Sequence, residues 1–310
     1  MYPELFKIPF VNLTLKSYGL MMVVAFLAAV FLIRRLAKPI IPNPQFITNA
    51  ALYSLIAGLV GARIFYIVHY FDRFRGDLLS IFAIWQGGLE LLGGVLLALV
   101  VIVFYLRYRK LPIRRCLDIL SIGLMAALAF GRIGCFLNGC CFGKPTNLPW
   151  AVRFPYGSFA YQSQVSANPE RNRFQPQLEL PEDFFMGINK TLKPYKDLTE
   201  DQKQMLKNSD KLRSLPVHPT QLYSSANGAI LCFILYLFWR RSQNANRTFI
   251  KPGCIFSLMF ILYGITRFFI EFLRDDNPIE FTGLTISQNI SIALIGLGIV
   301  LLLIFQTMQK

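Results

Sequence analysis

"GRIGCFLNGCCFGKP", residues 131–145, ends a long apolar run with an arginine, an asparagine and three cysteines. The apolar residues before it begin near position 115, further back than a soluble core helix needs. The stretch is therefore the mouth of a membrane helix, and the rest of the chain agrees. Of its 310 residues 54% are hydrophobic, and the mean hydropathy is +0.46. That is too apolar for an ordinary soluble domain and fits an all-α, polytopic membrane protein. The apolar segments do not alternate as barrel strands would. The net charge of +15 raises nucleic acid as a partner. The basic residues cluster beside apolar runs, however, where membrane topology explains them, and no nucleic acid is expected.

Seven spans are expected, near 15–36, 48–70, 88–106, 115–137, 220–239, 253–273 and 285–307. The first and fifth are short against the roughly 20 residues a span needs. "RRLAK" after span one, "RYRKLPIRR" after span three and "RRSQNANRTFIK" after span five carry three, five and four basic residues and no acid. On the opposite side Asp72, Asp77, Asp275, Asp276 and Glu280 offset Arg73, Arg75 and Arg274. The positive-inside rule then places the N-terminus outside and the C-terminus in the cytoplasm. Basic residues after the first run mark an anchor, and no cleavable signal peptide is expected.

The domain reading is a single transmembrane bundle, 1–310, carrying 144–216 as an extracytoplasmic insert or lid. "PEDFFMGINK" and "LTEDQKQMLKNSDKLRS" are expected to hold short amphipathic helices, with "LTED" as a cap. The insert shows no separate hydrophobic core. The absence of an internal repeat weighs against a transporter.

A charge at the bilayer centre costs about 2.5–3.5 kcal/mol on insertion scales, so charged residues within spans need a reason. Asp118 reads as structural, Glu90 and His69 as interfacial. Arg132 lies near the outer end of span four. Tyr263, Arg267, Glu271 and Arg274 are spaced to stack on one face of span six. Arg63, in "GARIFY", is in the outer half of span two. One reading has Arg267 paired with Glu271 and Arg132 snorkelling to the interface. The other has three arginines converging on an anion, for which a phospholipid headgroup is the natural source in a bilayer. His218 in "VHPTQLYSS" is either a proton acceptor or, with Thr220 and Pro219, part of a helix start. Gly87–Gly88 and Gly93–Gly94 allow close backbone approach, for packing or for a headgroup. The six cysteines show no paired metal-ligand spacing. A Cys135–Cys140 bridge is conceivable if the helix ends between them. With no histidine or acid to place beside them, no metal and no other cofactor is expected.

These stretches carry a resemblance. "GRIGCFLNGCCFG" resembles the prolipoprotein diacylglyceryl transferase signature G-R-I-G-N-F-x-N-x-E-x-x-G. "HPTQLY" is similar to that family's H-P-S-Q-L-Y, and "LYGITRFFIEFLR" to its Y-G-x-x-R-F-x-x-E-F-x-R. "SYGLM", "GARIFY", "WQGGLELLGG" and "GLTISQ" follow in the family's order. The resemblance implies a transferase of the bacterial cytoplasmic (inner) membrane with its active site on the outer side. It would move diacylglyceryl from phosphatidylglycerol to the lipobox cysteine of a prolipoprotein signal peptide, form a thioether and release glycerol phosphate. It implies Arg132, Arg267 and Glu271 as catalytic residues; with Leu92 in place of the family histidine the base is left to either His218 or a water held by Glu271. For substrate binding it implies Arg132, Tyr18, Arg63, Gly87, Gly88 and Asn138, together with Gly143, Gln221, Tyr223, Tyr263 and Arg274. The chain departs from the pattern at Cys135 (asparagine in the family), Cys140 (glutamate) and Leu92 (histidine). The departures also permit a catalytically degenerate lipid-binding or scaffold protein of the same fold.

Overall fold

The computed structural model describes residues 4–8, 13–74, 78–82, 87–88, 90–187, 191–209, 212–243, 251–279 and 283–307. Arg75, Asp77, Arg247 and Glu280, used above for orientation, lie outside them, as do Trp85, Gln86 and Leu89 of the glycine-rich stretch.

Among the described residues, seven long helices follow the apolar runs: α1 Ser17–Ala37, α2 Gln45–His69, α3 Leu91–Tyr108 and α4 Ile113–Asn138, then, after the short α5 Phe159–Val165 and α6 Glu200–Asn208, α7 Thr220–Ser242, α8 Cys254–Glu271 and α9 Ile286–Thr307. Six are long and apolar enough to cross a bilayer, and α3 supplies a shorter apolar helix. Phe31, Phe104, Ile230 and Leu303 are exposed, as side chains meeting lipid must be, and the chain is a multi-pass membrane protein. The helix ends fall within a few residues of the expected spans. The first and fifth are not short, at 21 and 23 residues. Their polar ends, Ser17 at one and Thr220, Gln221 and Arg240–Arg241 at the other, continue the helix. The shortest of the seven are α3 and α8, at 18 residues each.

The chain forms two compact units, residues 29–123 in one and residues 1–28 with 124–310 in the other. In the first, α2 and α3 meet through glycine. A Cβ on Gly61 would strike the backbone of Gly93, and one on Gly94 would sit 2.8 Å from the carbonyl of Gly58. The pair Gly93–Gly94 therefore serves helix packing. Arg63 clamps the connection that follows α2: Nε donates to the Ile81 carbonyl (2.9 Å), Nη1 to Gly87 and Gly88 (2.7 and 3.0 Å), and Nη2 to Ser80 (2.6 Å). Interfacial His69 and Glu90 pair at 3.0 Å.

In the second unit α8 and α9 pack with Gly264 against Ser291 and Ile295, and Gly298 against Ser257 and Ile261. Ser225 of α7 donates to the Ala129 carbonyl of α4 at 2.7 Å, and Asn227 donates to Thr266 of α8 at 2.9 Å. Residues 4–8 and 13–16 pair as an antiparallel hairpin (β1, β2) ahead of α1.

The insert is more ordered than its sequence shows. α6 begins with a capping box, Thr199 with Gln202, where the "LTED" cap was expected. "PEDFFMGINK" forms a single 3-10 turn at Glu182–Phe184 and a strand, Phe185–Met186 (β3), that pairs with Thr191–Leu192 (β4). Gly187, at φ +68°, turns the chain between the two strands where a helix would have to continue. α5, capped by Ser158, was not expected. The insert does own a core: Tyr161, Val165 and Leu178 are buried together, with Tyr156, Leu180, Phe185 and Leu192 packed on them. These residues are too scattered along the chain for a periodicity to reveal them. Gln164 ties α5 to the C-terminal end of the insert, donating to the Leu215 carbonyl at 3.2 Å and accepting from the Leu215 amide at 2.8 Å.

Candidate active site

The opening stretch becomes the frame of the site. α4 stops at Asn138 because Gly139 (φ +77°) and Cys141 (φ +60°) both take the left-handed conformation. For cysteine that conformation costs roughly 1–2 kcal/mol, and such strain persists only where neighbours enforce it. Thr220 Oγ1 donates to the Cys141 carbonyl and Gln221 Nε2 to that of Cys140, both at 2.7 Å. Thr220 and Gln221 thus hold the turn's backbone. The turn folds Cys140 and Cys141 back over Cys135, and all three sulfurs lie within 4.8 Å of one another. The helix does end between Cys135 and Cys140, yet all three are free thiols.

Beyond the turn, residues 142–145 lie as a short extended segment between the start of α7 and the end of α8. Gly143 N donates to the His218 carbonyl (3.1 Å), His218 N to Lys144 (3.0 Å), Lys144 N to Leu273 (2.8 Å) and Asp275 N to Phe142 (3.2 Å). Only glycine fits at 143. A Cβ there would meet His218 Cβ and carbonyl at 2.7 Å and the Leu273 carbonyl at 2.8 Å. Two of these atoms are backbone and cannot yield cheaply. Gly143→Ala is expected to destabilise the protein by about 1–3 kcal/mol, the usual cost of overpacking, read as a lower thermal midpoint in detergent.

The arginines gather at the same end of α8. Arg267 pairs with Glu271 one turn later and donates Nη2 to Ser287 Oγ at 2.9 Å. The Glu271 carboxylate is fully buried and also accepts from Asn277, from Thr285 Oγ1 at 3.0 Å and, more distantly, faces Arg274 at 3.8 Å. With its oxygens so committed, Glu271 is suited to orienting arginines and not to holding a water as base. Arg274 forks onto Asp276 at 2.8 and 2.6 Å. Arg132 lies within electrostatic range of Arg267, Cys141 and Tyr18, but it has no hydrogen-bond or ion-pair partner among the described residues. Tyr263, one turn before Arg267, also acts on that guanidinium.

His218 is half-buried just ahead of α7, with Nδ1 3.4 Å from the Tyr223 hydroxyl, which in turn accepts from Trp150 Nε1 at 2.7 Å. Burial lowers the His218 pKa from its ordinary value of 6.5, so the imidazole is neutral near pH 7 and able to take a proton. Hydrogen bonds from Cys135 and Cys140, then the charges of Arg274 and Arg132, hold the Cys141 thiol below its usual range. The Asn138 side chain lies beside Cys140.

Of the expected site residues, Arg132, Asn138, Gly143, His218, Gln221, Tyr223, Tyr263, Arg267, Glu271, Arg274 and Tyr18 belong to one unit; Arg63, Gly87 and Gly88 belong to the other. There the Arg63 donors are spent on loop carbonyls, so the third arginine beside Arg132 and Arg267 is Arg274. Sequence reasoning missed what the insert contributes. Arg173 pairs with Asp275 at 2.6 Å and donates to Ser163. Arg171 senses Asp275, Glu271 and Asp276, while its Nε and Nη2 are buried without a hydrogen-bond partner among the described residues. "NPERNRF" offered only two basic residues in a polar loop.

The family profile described as prolipoprotein diacylglyceryl transferase matches residues 3–304. Relatives named phosphatidylglycerol--prolipoprotein diacylglyceryl transferase include one from Clostridium tetani, 28% identical and covering 96% of each chain. Another, from Synechocystis sp., is 28% identical over 96% of this chain and 86% of its own. A third, from Prochlorococcus marinus strain MIT 9301, is 27% identical over 94% and 89%. With a match running from residue 3 to residue 304 across all seven long helices, the chain belongs to the prolipoprotein diacylglyceryl transferase family.

Proposed function

We propose that the protein transfers diacylglyceryl from phosphatidylglycerol to the lipobox cysteine thiol of prolipoprotein signal peptides, forming a thioether and releasing glycerol phosphate. The relatives' names supply both substrates. The observation that carries the reading here is Arg132: a cation near the end of a membrane helix, without an anionic partner among the described residues, beside an Arg267 already oriented by Glu271. The reaction breaks the bond between the glyceryl carbon and a phosphate oxygen, and negative charge grows on that oxygen. Fixed guanidinium groups stabilise it without reorganising, and among the described residues the fork of Arg132 carries no protein partner that would keep it from that oxygen. Charge asymmetry of the loops supports an N-terminus outside, a cytoplasmic C-terminus and a site opening to the outer side of the bacterial cytoplasmic membrane.

The attacking thiol must lose its proton, and the neutral His218 is the proposed acceptor. A base works only unprotonated, so the rate falls as pH falls through the His218 pKa. Because burial depresses that pKa, the acid limb of kcat/KM is expected below pH 6.5, and His218→Ala removes it. An acid limb unchanged in the variant assigns the base elsewhere.

The test of the reaction uses protein in detergent, phosphatidylglycerol and a signal peptide with a lipobox cysteine. Glycerol phosphate release and a peptide mass gain are expected, neither occurring with a Cys→Ser peptide. The second reading, a lipid-binding or scaffold protein of the same fold, is favoured by Cys135, Cys140 and Leu92. It would show as phosphatidylglycerol binding without release.

A further inference from the structure

We propose that Cys135, Cys140 and Cys141 form a three-thiolate site for a soft divalent cation of the zinc class, whose open fourth position takes the acceptor cysteine of the substrate. This rests on the transferase reading above. Three features of the molecule carry it. First, the sulfurs already cluster: all lie within 4.8 Å of one another, and tetrahedral zinc–sulfur bonds of about 2.3 Å set sulfurs roughly 3.8 Å apart. Second, the cluster is built at some cost. It exists because Gly139 and Cys141 both take left-handed backbone, and Thr220 and Gln221 pin the carbonyls of Cys141 and Cys140. An ordinary helix exit would direct the three thiols apart. Third, the charges fit. Three thiolates around a divalent cation leave one net negative charge, and Arg274 and Arg132 act on Cys141 from beside it.

Three protein ligands with one open position is the arrangement of a catalytic zinc site, whereas four would close it. Sulfur ligands select soft metals over magnesium or calcium. A thiol that coordinates such a cation is deprotonated outright. The reaction requires that species. The acceptor sulfur, as thiolate, forms a bond to the glyceryl carbon; the carbon–oxygen bond to phosphate breaks, its electron pair leaving with glycerol phosphate; the thiol proton passes to His218 and on to water. Nothing is oxidised or reduced. The metal would place the nucleophile at the end of α4, where Arg132 meets the leaving phosphate.

The test uses the full-length protein in detergent, reduced, stripped with chelator and titrated with Co(II) or Zn(II). One metal per chain is expected by elemental analysis, with the intense sulfur-to-cobalt charge-transfer and tetrahedral ligand-field bands of a thiolate site. Each of Cys135→Ser, Cys140→Ser and Cys141→Ser should weaken binding by more than about 100-fold, the upper end of what losing even an outer-shell partner costs. Cys232→Ser, outside the cluster, should bind as wild type. A lipobox peptide should shift the cobalt bands and its Cys→Ser counterpart should not. No metal in the reduced wild-type protein, undiminished glycerol phosphate release by stripped protein, or cobalt bands indifferent to the peptide thiol would each overturn the proposal, the second while leaving the transferase reading intact. Metal and a peptide-dependent shift without any release would support the site and count against the transferase.

Discussion

Arg132→Ala is expected to lower kcat by about 10²–10³-fold, the cost of removing one preorganised donor from a developing oxyanion, while the protein stays folded. The asymmetry follows from the partners. Arg132 forms no ion pair or hydrogen bond among the described residues, so its removal orphans nothing, and the loss should fall on catalysis alone. Lysine should restore only part of the rate, because it keeps the charge but loses the planar fork that matches phosphate. If the phosphate is held as tightly in the ground state, KM for phosphatidylglycerol rises as well. If Arg132 acts only on the charge that grows as the bond breaks, kcat carries the loss. Initial rates of glycerol phosphate release across a phosphatidylglycerol series separate the two, with thermal unfolding of the variant run beside them. A variant within tenfold of wild type would mean that Arg132 does not hold the leaving group, and the proposed function would lose the observation that carries it.

The helices were legible because each is written continuously, as an apolar run with basic residues behind it. Span six was readable to the level of its site, since the spacing of Tyr263, Arg267 and Glu271 already stacks them on one face. What could not be read is what depends on backbone turning back on itself. The gathering of Cys135, Cys140 and Cys141 follows from two left-handed residues, and Cys141 is not a residue type that announces one. Arg63 read as a free membrane cation because its partners are carbonyls, which every residue carries and no sequence marks. The insert's core and its arginines were hidden for a related reason: Tyr161, Leu178 and Arg173 meet their partners across turns, with no period to betray them. Gln221 lay in a recognised motif, yet its role became plain only with the Cys140 carbonyl it holds.

Glu271→Ala should be the most destabilising single change in the site. The carboxylate is fully buried and accepts from Asn277 and Thr285 while pairing with Arg267. Removing one partner of a buried pair typically costs about 3–5 kcal/mol, because the remaining charge is stranded without water. Here the stranded group is Arg267, itself buried, and Asn277 and Thr285 lose their acceptor with it. Glu271→Gln should cost less, since an amide oxygen still accepts hydrogen bonds, but it cannot neutralise the guanidinium. A double variant, Arg267→Leu with Glu271→Leu, separates fold from chemistry. Removing both charges removes the stranded one, so much of the lost stability should return, though not all, because Asn277 and Thr285 stay without the Glu271 acceptor. Activity should not return, because the guanidinium that stands beside Arg132 is gone. Thermal midpoints in detergent and transfer rates, measured on the same preparations, would show the two quantities moving apart. Recovery of activity together with stability would reduce Arg267 and Glu271 to a structural pair and leave phosphate stabilisation to Arg132 with the insert's Arg171.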